Sequence, residues 1–212
     1  MFYSIKEPAQ GEITEKKSKF ICNIFPVESV EEAEDKIIEL RKKYHDARHN
    51  CFAYKIYREN VERYSDDGEP SGTAGLPMIT ILNGKEISNV VAIVTRYFGG
   101  ILLGTGGLVR AYSEALNKAV NNAEIVKKEL GLEAEFEIGY DELEELKYHL
   151  KNMNIQITNI EYLEKIKVVV LGSKDEIKKI GKGISDRINI KNYKELDEKY
   201  YTCSWYLKWV YN

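Results

Sequence analysis

Cysteine is scarce in this sequence, and its spacing excludes two classes of small scaffold. The 212 residues include three cysteines, Cys22, Cys51 and Cys203, which lie far apart and form no CxxC pair. Such spacing argues against a disulfide framework and against a zinc knuckle. The chain also has no apolar run long enough to span a membrane and no signal-peptide-like apolar segment near its first residue. We therefore expect a soluble, cytoplasmic protein with no membrane partner.

An excess of positive charge is also absent. The chain has 31 Lys and Arg residues against 34 Asp and Glu residues, a formal net charge of −3. Contact with a nucleic acid would therefore depend on a local basic patch rather than on the field of the whole protein. The arginines are concentrated in the first part of the chain, and only Arg187 lies in the second part.

Glycine, in contrast, is plentiful in one stretch near the middle of the chain. Nine of the 15 glycines fall between Gly68 and Gly107. Because glycine accepts positive φ angles and close backbone contacts, we predict two shaped loops, Asp66–Gly75 and Gly99–Gly107. The apolar, β-branched segment Val90–Phe98 between them predicts a strand that is buried on both faces. A rigid strand with a shaped loop at its exit is typical of a functional site.

The first half of the chain has the pattern of a two-layer α/β domain. Ser29 at an N-cap position, followed by two acids and by apolar residues at helical spacing, predicts a helix over Val30–Tyr44. A second, shorter helix is predicted over Gly75–Gly84, because this segment has a proline near its start and Asn-Gly at its end. The predicted strands cover Glu12–Val27, Asn50–Tyr57 and Val90–Phe98; the predicted helices cover Val30–Tyr44, Gly75–Gly84 and Leu108–Ala123; and Lys16–Lys19 is a basic turn or exposed edge.

The second half has a different pattern, which starts near Lys127–Gly131. Leu132–Ile138 alternates apolar residues with glutamates and predicts a strand with one wet face. Asp141 and Ser173 are predicted N-caps of two further helices. Strands over 155–160, 166–171 and 200–211 complete a β-α-β-β-α-β order, which is the ferredoxin-like split β-α-β arrangement. We therefore predict an α+β protein of two domains, residues 1–128 and 129–212.

The second glycine loop, which has an arginine on each side, is a candidate anion site. Free N–H groups and the dipole at a helix start favour negative charge, and arginine suits phosphate. The spacing matches neither the P-loop nor the dinucleotide-binding motif, and the alternative is that the glycines only allow tight packing. The candidate residues for contact with an anion or a nucleic-acid backbone are Arg96, Gly99, Gly100, Gly104, Thr105, Gly106, Gly107 and Arg110.

The acidic residues of the first loop could be metal ligands or acid–base groups. They lack the fuller, regularly spaced oxygen set that a divalent cation needs, so we expect no metal and no cofactor. We favour a structural role, in which the acids cap the turn and pair with Arg96 or Arg110. The residues expected to support the loops are His49, Asp66, Asp67, Glu69, Ser71 and Thr73.

Two further sets of residues allow both a functional and a structural interpretation. Cys51 lies near His45 and His49 and could be a nucleophile activated by a histidine, but it falls within an apolar strand, where a buried inert thiol is common. Aromatic residues near the end of the chain could stack on RNA bases, although we favour a core face beneath two helices. These aromatic residues are Tyr201, Trp205, Tyr206, Trp209 and Tyr211.

Four stretches together resemble the YigZ/Impact family: Ser18–Ile21, Ala47–Tyr54, Asp66–Gly75 and Val94–Tyr112. The first half resembles the Impact N-terminal domain, and the second half resembles the small domain of unknown function that bacterial YigZ proteins append. The resemblance implies a ribosomal protein S5 domain 2-like fold followed by a ferredoxin-like domain similar to one in a translational elongation factor. It also implies a role in translation, because the eukaryotic relatives block activation of a stress kinase through a ribosome-associated partner.

The residues and the resemblance together favour a non-enzymatic regulator that binds RNA, the ribosome or a translation factor. The alternative is a small-molecule phosphotransferase or hydrolase that holds a phosphate in the glycine loop. A third hypothesis is a regulator that binds only proteins. The resemblance implies no particular enzymatic activity, and the sequence leaves the oligomeric state open.

Overall fold

The structure is a computed structural model that describes residues 1–205. It divides into two compact units, Phe2–Lys127 and Lys128–Ser204. The predicted mixed α and β fold with two domains is confirmed. Among the described residues, no helix is both long enough and apolar enough to cross a membrane.

The first unit is built around an antiparallel sheet. Its strands and helices are β1 (Phe2–Ile5), β2 (Ala9–Glu15), β3 (Ser18–Pro26), α1 (Val30–Lys43), β4 (His49–Ile56), β5 (Val61–Ser65), α2 (Gly75–Gly84), β6 (Val90–Tyr97) and α3 (Gly104–Asn122). The sheet has the strand order β2-β3-β6-β4-β5, and each neighbouring pair runs antiparallel. The strand that precedes the glycine loop, β6, is therefore central.

Two hydrophobic cores meet at β6. Val90, Ala92 and Val94 belong to the core that includes apolar residues of α2 and α3. Val91 and Ile93 belong to the core that includes α1. The predicted burial of this strand on both faces is confirmed, because helices cover the sheet on both sides. The first unit thus has three layers rather than the predicted two, because α1 covers the sheet face opposite α2 and α3.

Local signals in the first unit give the elements that they predict. The Ser29 side chain accepts a hydrogen bond from the backbone N–H of Glu32 at 3.2 Å, and α1 ends in a basic turn. The hairpin between β2 and β3 turns at Lys16 and Lys17, whose φ angles are 44° and 65°. Both predictions, the α1 helix and the basic turn, are confirmed.

The second unit is a sheet with two helices. Strand β7 (Ile125–Ile138) enters it from the first unit, and a short 3-10 helix (Tyr140–Glu142), α4 (Leu143–Asn152), β8 (Gln156–Tyr162), β9 (Ile166–Gly172), α5 (Lys174–Ile180) and β10 (Lys191–Trp205) follow. Within this unit β10 pairs with β7, β7 with β9, and β9 with β8. This order is that of the ferredoxin-like arrangement. Apolar side chains of β7, β9, α4 and α5 form one core.

Several predicted boundaries are wrong. Helix α3 begins at Gly104 rather than Leu108, and β7 begins at Ile125 rather than Leu132. Asp141 is not an N-cap, because it lies inside the 3-10 helix, whereas Ser173 caps α5 as predicted. The last strand begins at Lys191, β1 and β5 were not predicted, and residues 206–211 of the predicted final strand lie outside the described part of the chain.

Candidate functional site

The sheet register brings Arg96, His49 and Phe20 into one row near the end of β6. Arg96 on β6 pairs with Phe20 on β3 and with His49 on β4. Side chains that face each other across paired strands lie on the same face of the sheet. Arg96 therefore lies between an aromatic ring and a histidine, on the face that α3 covers.

Arg96 forms a buried ion pair with Glu69. Its Nη1 donates to Glu69 Oε1 at 2.6 Å, and the two side chains are 7% and 3% exposed. Its guanidinium carbon lies 5.4 Å from the ring centre of Phe20 and 5.5 Å from that of Phe98. The structure thus corrects the expectation that Arg96 contacts phosphate, because the Arg96 guanidinium is buried and paired with the Glu69 carboxylate.

A tyrosine completes the cluster around Glu69. The Tyr112 hydroxyl on α3 donates to Glu69 Oε1 at 2.8 Å, and His49 Nε2 lies 4.0 Å from the same oxygen. Burial raises the pKa of Tyr112, so its hydroxyl remains a donor. Sequence reasoning missed Tyr112; the available signal is a tyrosine on the apolar face of a predicted helix, where a buried hydroxyl needs a partner.

The first glycine loop is held by aspartates. Asp66 Oδ1 accepts from the backbone N–H groups of Ala74 and Gly75, both at 2.9 Å, and Asp66 Oδ2 accepts from that of Gly72 at 2.8 Å. This carboxylate therefore binds the amides at the start of α2, where the helix dipole favours it.

Asp67 ties the same loop to β4 and α1. Its carboxylate accepts from the backbone N–H of Asn50 and from Arg41 Nη2, both at 2.7 Å. His49 Nδ1 lies 2.8 Å from the Asp67 carbonyl oxygen. Among the other predicted support residues, Thr73 Oγ1 donates to the Pro70 carbonyl at 2.6 Å, and Ser71 is exposed.

Cys51 is buried within this cluster. Its Sγ donates to the Asp66 carbonyl oxygen at 3.0 Å and lies 3.3 Å from the Tyr112 hydroxyl oxygen. Burial raises the pKa of the Cys51 thiol, and the carboxylates of Glu69, Asp67 and Asp66 raise it further. A thiol of this kind is not a nucleophile at neutral pH.

We expect Cys51 and Cys22 to resist a thiol reagent at neutral pH in the folded protein. Both thiols are fully buried, and burial raises the pKa of each. Mass spectrometry after maleimide labelling would locate the adducts, with urea-denatured protein as the control in which all three cysteines react. Rapid labelling of Cys51 in the folded protein would restore the nucleophile interpretation.

The second glycine loop is pressed against the β2–β3 hairpin. The Gly99 N–H donates to Ser18 Oγ at 3.1 Å, and a Cβ atom on Gly99 would lie 2.0 Å from the Lys17 carbonyl carbon. Gly100 and Gly104 have φ angles of +85° and +71°, which favour glycine. The alternative hypothesis, that the glycines allow tight packing, therefore holds for Gly99.

The remaining candidate anion residues form a helix start rather than a loop. Gly104, Thr105, Gly106 and Gly107 make the first turn of α3, which has no side-chain cap and no acid in that turn. A Cβ atom on Gly106 would lie 3.7 Å from Arg110 Nη1, and Arg110 is exposed. The structure thus brings Arg110 beside the glycine turn and leaves Arg96 in the core.

The apolar residues of the loop are exposed, and sequence reasoning did not single them out. Phe98, Ile101 and Leu102 are 46%, 43% and 83% exposed. The sequence signal that could have indicated this exposure is the position of one aromatic and two aliphatic residues among glycines, directly after a buried strand. Lys16 and Lys17 lie next to this loop through the contact of Gly99 with Lys17 and are also exposed.

The structure also locates part of the aromatic tail. Tyr201 is buried, and its hydroxyl donates to Glu129 Oε1 at 2.6 Å. Burial raises the Tyr201 pKa. This side chain therefore has the core role that we favoured and is not available for stacking on RNA. The side chains of Trp205, Tyr206, Trp209 and Tyr211 lie outside the described part of the chain.

The described residues contain no group of three or more His, Cys, Asp or Glu side chains that could hold a metal ion. The acids of the first loop instead bind backbone amides, arginines and a tyrosine hydroxyl. The exposed groups at the second glycine loop include the glycine-rich start of α3, Arg110, Lys16, Lys17 and the apolar side chains described above.

Comparison with known proteins agrees with this two-domain architecture. Residues 16–120 match the Impact N-terminal domain, and residues 136–189 match a domain of unknown function, DUF1949. The chain is thus a two-domain protein with an Impact-type first domain.

Individual relatives extend the match over most of the chain. The IMPACT family member YvyE of Bacillus subtilis is 36% identical over 166 residues, which cover 78% of this chain and 76% of the relative. The IMPACT family member YigZ of Escherichia coli is 37% identical over 150 residues, which cover 69% and 74%. A crystal structure titled as that of a hypothetical protein has a TM-score of 0.61 at 30% identity, covering 90% of this chain and 96% of that one. The chain belongs to the YigZ/Impact family.

Proposed function

We propose that this protein is a non-enzymatic, cytoplasmic regulator of translation that binds RNA, the ribosome or a translation factor. The observation that carries the proposal is a division in the first unit. Its chemically reactive groups Cys51, Glu69 and Arg96 are buried, Glu69 pairs with Arg96, and the Tyr112 hydroxyl links Cys51 to Glu69. The glycine turn of α3 and Arg110 are instead largely exposed. Membership of the YigZ/Impact family supports the role in translation that the resemblance implies.

The enzyme alternative finds less support in the geometry. A phosphotransferase or hydrolase would need an acid near the glycine turn that is available for proton transfer. Asp66 and Asp67 accept hydrogen bonds from backbone amides, and Glu69 accepts them from Arg96 and Tyr112. These acids hold the loops, and we therefore favour binding over catalysis.

Affinity capture from cell lysate, with and without RNase, tests the proposal. We expect ribosomal proteins or translation factors to be enriched with the full chain. Capture that survives RNase indicates a protein partner, and capture that RNase abolishes indicates RNA. A thermal-shift screen with nucleotides and magnesium runs in parallel. The proposal is wrong if no translation component is enriched and one nucleotide stabilises the protein.

A further inference from the structure

We infer that the exposed loop of the first unit is a docking site for an acidic protein segment that carries apolar side chains. The site consists of Lys16, Lys17, Phe98–Leu102 and Arg110, and we name it the glycine-loop surface. The inference deepens the proposed function, on which it rests, by naming the chemical class of the partner.

The apolar component of this surface requires an apolar partner. Phe98, Ile101 and Leu102 fall within five consecutive residues and are each at least 43% exposed. Grouped exposed apolar residues next to polar ones mark interaction sites. A single-stranded RNA gains by stacking its bases on aromatic rings, and only Phe98 offers one. Ile101 and Leu102 gain free energy by burial against other apolar side chains, which a protein segment supplies.

The three charged side chains that we assign to this surface are all positive. Lys16, Lys17 and Arg110 are exposed, and within residues 1–205 none of them pairs with a carboxylate. The first turn of α3 adds partial positive charge, because no acid and no side-chain cap offset its free N–H groups. Charge complementarity across an interface therefore selects an acidic segment and disfavours a basic one.

The surface is held in place before any partner binds. Gly99 is bonded to Ser18 and packed on Lys17, and Leu103 packs against the core of the first unit. Beneath the loop, Arg96 lies close to the Phe98 ring and is fixed by Glu69. A preformed surface loses little conformational entropy on binding, so a short segment suffices as a partner.

Two parallel selections against the full-length protein test the inference: one from a displayed library of random peptides and one from a random-sequence RNA pool. We expect the enriched peptides to combine Asp or Glu with apolar residues. Their affinity should fall about tenfold or more with Leu102→Asp or with Arg110→Glu, as for anchor residues of interfaces. Leu102 is 83% exposed, so its replacement should leave the melting temperature unchanged.

Matched control variants are present in the second unit. Leu163 is 60% exposed and Arg187 is exposed, so Leu163→Asp and Arg187→Glu make the same chemical changes elsewhere. These controls should leave peptide affinity unchanged.

Each of the following results would overturn the inference: enriched peptides without acidic residues, peptides whose affinity neither surface variant changes, or no binder from either library that depends on this surface. RNA binders that depend on Leu102 and Arg110 would overturn it too, yet would leave the proposed role in translation intact. Failure of the proposed function would instead appear as the absence of translation components in the lysate capture.

Discussion

Replacing Glu69 by alanine is expected to lower the free energy of unfolding by about 3 to 5 kcal/mol. The substitution leaves the buried Arg96 guanidinium without its carboxylate and the Tyr112 hydroxyl without its acceptor. An uncompensated buried charge is costly, because the protein interior replaces its hydration poorly. Urea denaturation followed by circular dichroism measures the loss.

Two control variants make this result specific. Glu144→Ala breaks an exposed pair with Lys147 and should change the stability little, since solvent screens such a pair. The double variant Glu69→Leu with Arg96→Met removes both charges and should recover most of the lost stability. If Arg96→Met alone raises the free energy of unfolding, Arg96 lowers the stability of the protein, as residues kept for ligand binding often do. The structural role that we assign to Arg96 would then be wrong.

Replacing Gly99 by alanine is expected to destabilise the first unit by about 3 kcal/mol. The new Cβ atom would lie 2.0 Å from the Lys17 carbonyl carbon and 2.4 Å from the Ser18 nitrogen, so backbone must move. The loop would then separate from the hairpin, and the Gly99 hydrogen bond to Ser18 would be lost. Thermal unfolding measures the stability, and peptide affinity for the glycine-loop surface should fall with it.

Gly84→Ala is the matched control for this prediction. Outside its chain neighbours and the backbone of its own helix, no atom lies within 4 Å of a Cβ atom on Gly84, which ends α2, and the Gly84 φ angle is not positive. We expect the stability of the Gly84→Ala variant to equal or slightly exceed that of the unsubstituted protein. Equal stability of the Gly99 and Gly84 variants would contradict the close packing of the loop on the hairpin.

Elements with strong local signals could be predicted from the sequence. Helix α1 has a serine cap, acids at its start and bases at its end, and the second domain alternates apolar and acidic residues along β7. In these cases local preference and tertiary packing agree.

Other boundaries depend on packing that the sequence does not display. Gly104, Gly106 and Gly107 suggest a loop because glycine is a poor helix former, yet they form the first turn of α3. The close contact of Gly107 with the Leu103 side chain shows that a larger residue would not fit there. Strand β5 (Val61–Ser65) is mostly polar because it lies at the edge of its sheet, and so it lacks the alternation that predicts a strand.

The sequence predicts one pairing in the cluster but not its arrangement. The sequence indicates that acids of the first loop pair with an arginine, and the structure pairs Glu69 with Arg96. Which arginine is buried depends on the sheet register, which places Arg96 between Phe20 and His49. Exposure of Leu102 likewise depends on the tertiary course of the loop and has no local signal.

The most direct test of this account is affinity capture with paired double variants. Leu102→Asp with Arg110→Glu alters the glycine-loop surface, and Leu163→Asp with Arg187→Glu makes the same changes in the second unit. We expect the first double variant to lose the translation components that the unsubstituted protein captures, and the second to retain them, at equal melting temperature. Equal capture by both double variants would contradict the role of this surface.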